Sequence, residues 1–385
     1  MAIPRLLLIA FAFLPGRLAS QFPTFRTSPA TQLGASYEFT RIARGAIGPD
    51  GRIAISQPND SKILIFDMKN PAQPSGTAGR KGEGPGEFGY LGDIGWIGST
   101  LWATDGNRAR VEFFDGAGRV RGSKLFETPG SALRGVRYNG PSALLRDTST
   151  VYFPSLMIGP LGVPPAMVDA AIPFLLARAG ARAFDTLALI RPFRSVLMLN
   201  GDRGNPVATQ PLTADDFLRV GMDGQRILLV LQTGPAVVEG HVQVRVLAAS
   251  GRQIFETDLG LKGRELTGSG WDSVLTRLVK AFAKDTWSSE GTARSELEKA
   301  IYRPRFLPLI AAAVMGRDGT VWLRKDLGRR ADAEWLVLTP DGRTAGSVRL
   351  PASTRILDVA ATGVLGVSKD TDDLEHPFWM RIAPR

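Results

Sequence analysis

An all-β chain of repeated antiparallel units is what this sequence predicts, on three observations. Asp-Gly pairs recur between short β-rich runs: Asp50-Gly51 before RIAIS, Asp115-Gly116 before AGRV, Asp223-Gly224 before QRILLVL, Asp318-Gly319 before TVWLRK and Asp341-Gly342 before RTAGSV. Asp-Gly accepts the positive φ angles of tight hairpin turns, so each pair marks an antiparallel corner. Segments 51–67, 99–115 and 319–342 also repeat one plan of turn, strand, polar loop, strand and turn, with weaker copies at 149–155, 225–251 and 363–382. Finally, the strands opening these copies start at Ile53, Leu101, Val151, Ile227, Val321 and Val364, at spacings of 48, 50, 76, 94 and 43. Three of the five intervals suit a four-stranded unit, the signature of a propeller blade, and the two long ones must hold insertions. Six copies predict a six-bladed β-propeller with helical and Pro-rich insertions.

Taken in chain order, residues 1–20 read as a signal peptide: Arg5 supplies a positive start, Leu6 to Leu14 an apolar run, and Leu18, Ala19 and Ser20 a small-residue end. Such a run is too short to span a bilayer, which takes about 20 residues. Residues 21–385 then form one propeller domain. A strand near Ser36 to Thr40 is expected to complete the last blade, because a free blade edge invites aggregation. The insertion at 155–176 is almost uncharged, with Asp169 alone, and Pro160, Pro164, Pro165 and Pro173 preclude a regular helix. It is expected to pack on the propeller itself, covering the channel mouth. Between Gly268 and Pro304, Trp271, Leu275, Leu278 and Phe282 recur at helical spacing, and Ala293, Leu297 and Ile301 mark a second helix. Their apolar stripes are expected to pack on one propeller face.

Composition narrows the setting. Hydrophobic residues at 44% and charged residues at 22% describe an ordinary globular protein. Cysteine is absent, so disulfides, lipid attachment at the cleavage site, thiol nucleophiles and thiolate metal sites are all excluded. The expected location is periplasmic or secreted. Loss of Arg5 and Arg17 lowers the net charge of +10 by two, leaving a basic surface. Outside the cytoplasm the polyanions such a surface meets are anionic envelope polymers, not nucleic acid.

The stretch GRKGEGPGEF (79–88), followed by LGDIGW, STLWATDGNRARVEFFD and GAGRV, resembles the bacterial six-bladed β-propeller family related to NHL-repeat proteins. In that family a G-x-GEGPGEF crossing links the first blade to the second. The late segment RPRFLPLIAAAVMGRDGTVWLRK is similar to the penultimate blade of the same family. The similarity is strongest in 47–120 and 303–345 and faint in 150–300. It implies the fold far more firmly than an activity, since propellers carry many unrelated functions. The loop itself lacks the Gly-Lys-Ser/Thr of a phosphate cradle, and its glycines suit a chain crossing between blades.

Chemistry is narrowed by what is missing. With only His241 and His376, the three-histidine zinc lyases known among NHL propellers cannot be built, and neither histidine accompanies a G-x-S-x-G elbow. One enzyme class stays open: a calcium-dependent hydrolase, lactonase or phosphoesterase-like, with its site in the central channel, as in gluconolactonase-type propellers. Glu87, Asp93, Asp105 and Asn107 are its candidate ligands, with the alternative that Asp105 and Asn107 bond backbone groups in a turn. Arg108 joins them as a ligand-binding candidate, and Glu83 is a further carboxylate of the crossing. No cofactor other than calcium is implied. Trp102 and Trp322 share one strand position and are expected between blades. The leading expectation is a binding or scaffold module recognising a protein, peptide or glycan on a propeller face.

Overall fold

In the computed structural model, residues 24–130, 135–156, 170–192, 196–198, 207–232, 239–286, 288–325 and 332–383 are described. The segment read as a signal peptide lies outside them, as do residues 157–169 of the apolar insertion. Six antiparallel sheets follow one another along the chain. The strands proposed from Ile53, Leu101, Val151, Ile227, Val321 and Val364 are the second strands of blades 1 to 6. Each blade is a meander from an innermost to an outermost strand, and the first begins with Gly45–Ile47 and Ile53–Gln57 and ends at Gly76–Ala78. All five Asp-Gly pairs sit in hairpin turns. At four of them the glycine has positive φ, and after Asp115 the left-handed residue is instead Gly118.

The core lies between the blades. Ala54, Ile63 and Ile65 of blade 1 pack with Trp96, Leu101 and Phe114 of blade 2, and Val230 and Val244 of blade 4 with Val321 and Leu338 of blade 5. Trp102 packs between blades 2 and 3, and Trp322 between blades 5 and 6, as their shared position predicted. Second strands are buried over most of their length, wholly so for Ile53–Gln57, which is why they read as near-continuous apolar runs.

The ring closes through the N-terminus, but not where expected. Arg26 and Thr27 pair with Ala383 and Ile382, and Thr31 and Gln32 with Trp379 and Phe378. Residues 36–40 form no strand. The outermost places along the last strand are already taken by Arg26–Thr27 and Thr31–Gln32, and Leu33, Phe39 and Ile42 are instead buried in the crossing that leads into blade 1, against Phe66 and Leu365; Gln32 to Gly45 spans 13 positions, as Ala78 to Leu91 does into blade 2. The two crossings also share a device, a left-handed glycine against a phenylalanine ring: Gly34 with Phe39 and Gly79 with Phe88. Those rings stack on Phe66 and Phe114, the final residues of equivalent third strands.

The two long intervals hold insertions. Part of the apolar stretch, Ile172–Ala177, is the third strand of blade 3. Helices Gly268–Thr286 and Glu290–Ala300 appear where the periodicity placed them, the second capped by Ser289, whose hydroxyl oxygen accepts the Thr292 amide. Their apolar stripes, however, face each other: Leu275, Val279 and Phe282 pack with Ala293, Leu297 and Ile301. Two stripes on one hairpin satisfy each other at close range, so the propeller face is not needed to bury them.

Candidate functional site

The crossing between blades 1 and 2 is organised by its own acids. Glu87 accepts the amides of Glu83 and Gly84, each at 2.8 Å, and the Arg80 guanidinium at 2.8 Å. These contacts, the Gly84 amide first, hold its carboxyl below the usual range. A Cβ on Gly82 would lie 2.2 Å from the Glu87 carboxylate, so only glycine lets the side chain fold back. Asp105, fully buried, accepts the amides of Gly89, Tyr90 and Asn107. Arg108 bridges Asp105, the Glu83 carboxylate and the Gly82 carbonyl. Arg110 donates to the carbonyls of Glu83 and Glu87.

Asp93 stands apart from these, in the channel, where it pairs with Arg44. The four oxygen-bearing candidates therefore do not converge. The Glu87 and Asp105 carboxylates are engaged by amides and guanidiniums, and Asn107 lies in the turn that Asp105 caps. Among the described residues no three His, Asp or Glu side chains are grouped to hold a metal. This donor set does not fit a calcium ion. His241 lies beside Asp258 and His376 beside Asp370, each on the third strand of its blade and not among the residues that line the channel.

The channel itself holds a cavity of about 310 Å3, lined from the innermost strands of all six blades. Its open end carries charge. Arg44 immediately precedes the blade 1 strand, Asp93 lies on that of blade 2, Arg219 on that of blade 4, and Arg355 opens that of blade 6. The Asp93 carboxylate raises the Arg44 guanidinium above its ordinary value. Arg355 is committed to the rim, donating to the Ala43 and Ile42 carbonyls at 3.1 and 2.7 Å and to Glu375 at 3.0 Å. Among the described residues Arg219 donates only to the carbonyl of its neighbour Leu218, at 2.8 Å, and lies over the Phe217 ring. It is open to the channel, but the surrounding walls hold its pKa below the ordinary value, with Arg44 acting the same way and Asp93 opposing.

The other end is plugged. The blade 4 turn reaches across to blade 2, where the Met222 carbonyl accepts the Trp96 amide at 2.8 Å and abuts Gly95. A side chain on Gly95 would collide with that carbonyl. Here Asp358 is fully buried, accepting the Ile47 and Val359 amides at 2.8 Å each, and burial pushes its carboxyl up to about 7. The channel is thus a blind pocket with a charged mouth.

Sequence reasoning found Asp93 and missed Arg44, Arg219 and Arg355. A signal was present. The turn G-x-D-G occurs at Gly48, Gly221 and Gly316, always closing the hairpin between a blade's first two strands. Arg44 lies four residues before Gly48 and Arg219 two before Gly221. Even offsets place both on one strand face, the one Ala46 and Phe217 turn toward the following blade.

No family model matches the sequence, and no curated protein does. Among solved structures, a member of the duf4221 family from Bacteroides vulgatus is similar, with a TM-score of 0.51 at 10% identity over 95% of this chain and 99% of that one. Virginiamycin B lyase from Staphylococcus aureus gives 0.43 at 9% identity over 93% and 100%, and the calcium-binding protein regucalcin from Agrobacterium tumefaciens 0.41 at 10% over 95% and 97%. At such identities the likeness is one of fold. The chain is a six-bladed β-propeller.

Proposed function

We propose that this protein is an exported binding module, related to the NHL-repeat propellers, that takes a protein, peptide or glycan group into the mouth of its central channel. One observation carries the reading: the channel is a blind cavity reached by side chains from all six blades, with charges at its open end and a backbone plug at the other. Concave, mostly apolar sites with a few convergent polar groups are where ligands bind. Binding is favoured over hydrolysis because the candidate acids are engaged, Glu87 and Asp105 in the crossing and Asp93 with Arg44, while Asp358 at the plugged end accepts the Ile47 and Val359 amides. Export is supported by the residue 1–20 pattern. No helix among the described residues is long and apolar enough to cross a membrane.

The test is a screen of glycan and peptide arrays with the chain from Gln21 onward and with Ala43→Trp, which places an indole at the mouth. Ligands retained by the wild type and lost by the variant, at unchanged thermal midpoint, are the expected result. An identical set of ligands for both proteins would move the site off the channel.

A further inference from the structure

Of the four charged side chains at the channel mouth, three have an oppositely charged partner among the described residues and one does not. Arg44 is neutralised by Asp93, and Arg355 by Glu375 and two carbonyls. Arg219 has no carboxylate partner among the described residues, and of a guanidinium's five N–H donors the structure engages one, with Leu218. Its guanidinium opens into the channel between apolar walls with a second cation beside it, and the carboxylate nearest the pair, Asp93, is already bonded to Arg44, so its charge is incompletely balanced. Burial and Arg44 lower its pKa and Asp93 opposes them less strongly, which expresses the same imbalance. Arginine stays charged regardless. A local violation of this kind, inside a cavity, is what a binding site requires of its protein.

We propose that Arg219, with Arg44 beside it, forms an oxyanion subsite in the channel, and that the ligand group is a carboxylate or phosphate borne on an apolar body. The inference rests on the channel being the binding site. The guanidinium fork matches a carboxylate or phosphate in two parallel hydrogen bonds, and an oxyanion there does for Arg219 what Asp93 does for Arg44. The apolar body follows from the walls, where Phe153, Val220, Met222 and Val314 line the same cavity and offer it no charge. At about 310 Å3 the space sits at the small end of ligand cavities, so it suits a terminal group or small molecule and not a folded domain.

The experiment is thermal unfolding of the chain from Gln21 onward at constant ionic strength, with phenylacetate, phenyl phosphate, neutral phenylacetamide and inorganic phosphate. Wild type, Arg219→Gln and Arg219→Lys are compared. At a concentration near a hundred times its dissociation constant, an oxyanion probe should raise the wild-type midpoint by roughly two to four degrees. The rise should vanish in Arg219→Gln and weaken in Arg219→Lys. Without any probe, Arg219→Gln should melt no lower than wild type, because it removes an uncompensated charge. Which phenyl probe acts distinguishes a carboxylate from a phosphate source. Equal shifts from phenylacetate and phenylacetamide would overturn the proposal while leaving the channel as a binding site. It is likewise overturned by an oxyanion shift that survives in Arg219→Gln, by no shift from either charged probe at tens of millimolar, or by an Arg219→Gln protein that melts lower throughout. Inorganic phosphate matching phenyl phosphate would overturn the apolar body.

Discussion

Asp358 shows how one side chain ties the plugged end of the channel to pH. It sits on the innermost strand of blade 6 and reaches the Ile47 amide of blade 1, with Arg317 favouring its charge and Asp223 opposing it. An unfolded aspartate titrates near 3.9, so between about pH 4 and 7 the native protein binds more protons than the unfolded chain. The stability from this group is therefore full below pH 4 and is lost as pH rises through 7. Its size is at most on the order of 4 kcal/mol. Asp358→Asn, which cannot ionise, should flatten the profile. Denaturant unfolding at pH 4.5, 6 and 7.5 should show the gap between the two proteins shrinking with pH, and parallel profiles would assign the titration elsewhere. None of this was legible in the sequence, where Asp358 is one acid in RILDVA; its burial and its Ile47 contact join residues 311 positions apart.

The crossing at 79–90 was the best-read element, because its chemistry is local. Glycine spacing identified it as a corner, and Glu87 and Asp105 proved to bond backbone amides within a few residues of the corner's two ends. Gly86 has φ of +76°, and a Cβ there would lie 2.3 Å from the Val120 side chain. Gly86→Ala should thus cost about 1–3 kcal/mol, read as a lower urea midpoint at unchanged slope. Gly122→Ala, where nothing lies within 4 Å, serves as the control and should be near neutral. If both variants shift alike, the strain argument fails. The helices were placed correctly by period and given the wrong partner, since a hydrophobic stripe specifies that it must be buried and not against what.

At the scale of the whole molecule, closure decides stability. Arg26, Thr27, Thr31 and Gln32 supply the outermost pairing of blade 6, and Leu33 is buried between blades 6 and 1. Deleting residues 21–32 should expose the last strand, Glu375–Ala383, as an open edge. We expect a thermal midpoint several degrees lower and concentration-dependent association in size-exclusion chromatography. A monomeric variant with an unchanged midpoint would show that the ring holds without its N-terminal strands.

By itself the sequence determined the number of blades, their hairpin corners and the places of the insertions. These are written in turns, in period-2 and period-3.6 patterns and in repeats, all of them short-range. Only the tertiary structure decided which residues close the ring, what the helices cover and where charge meets in the channel. Arg44, Asp93 and Arg219 belong to blades 1, 2 and 4. Each is an ordinary charged residue on or next to its blade's innermost strand, and they become a site because closing the ring brings the innermost strands onto one axis.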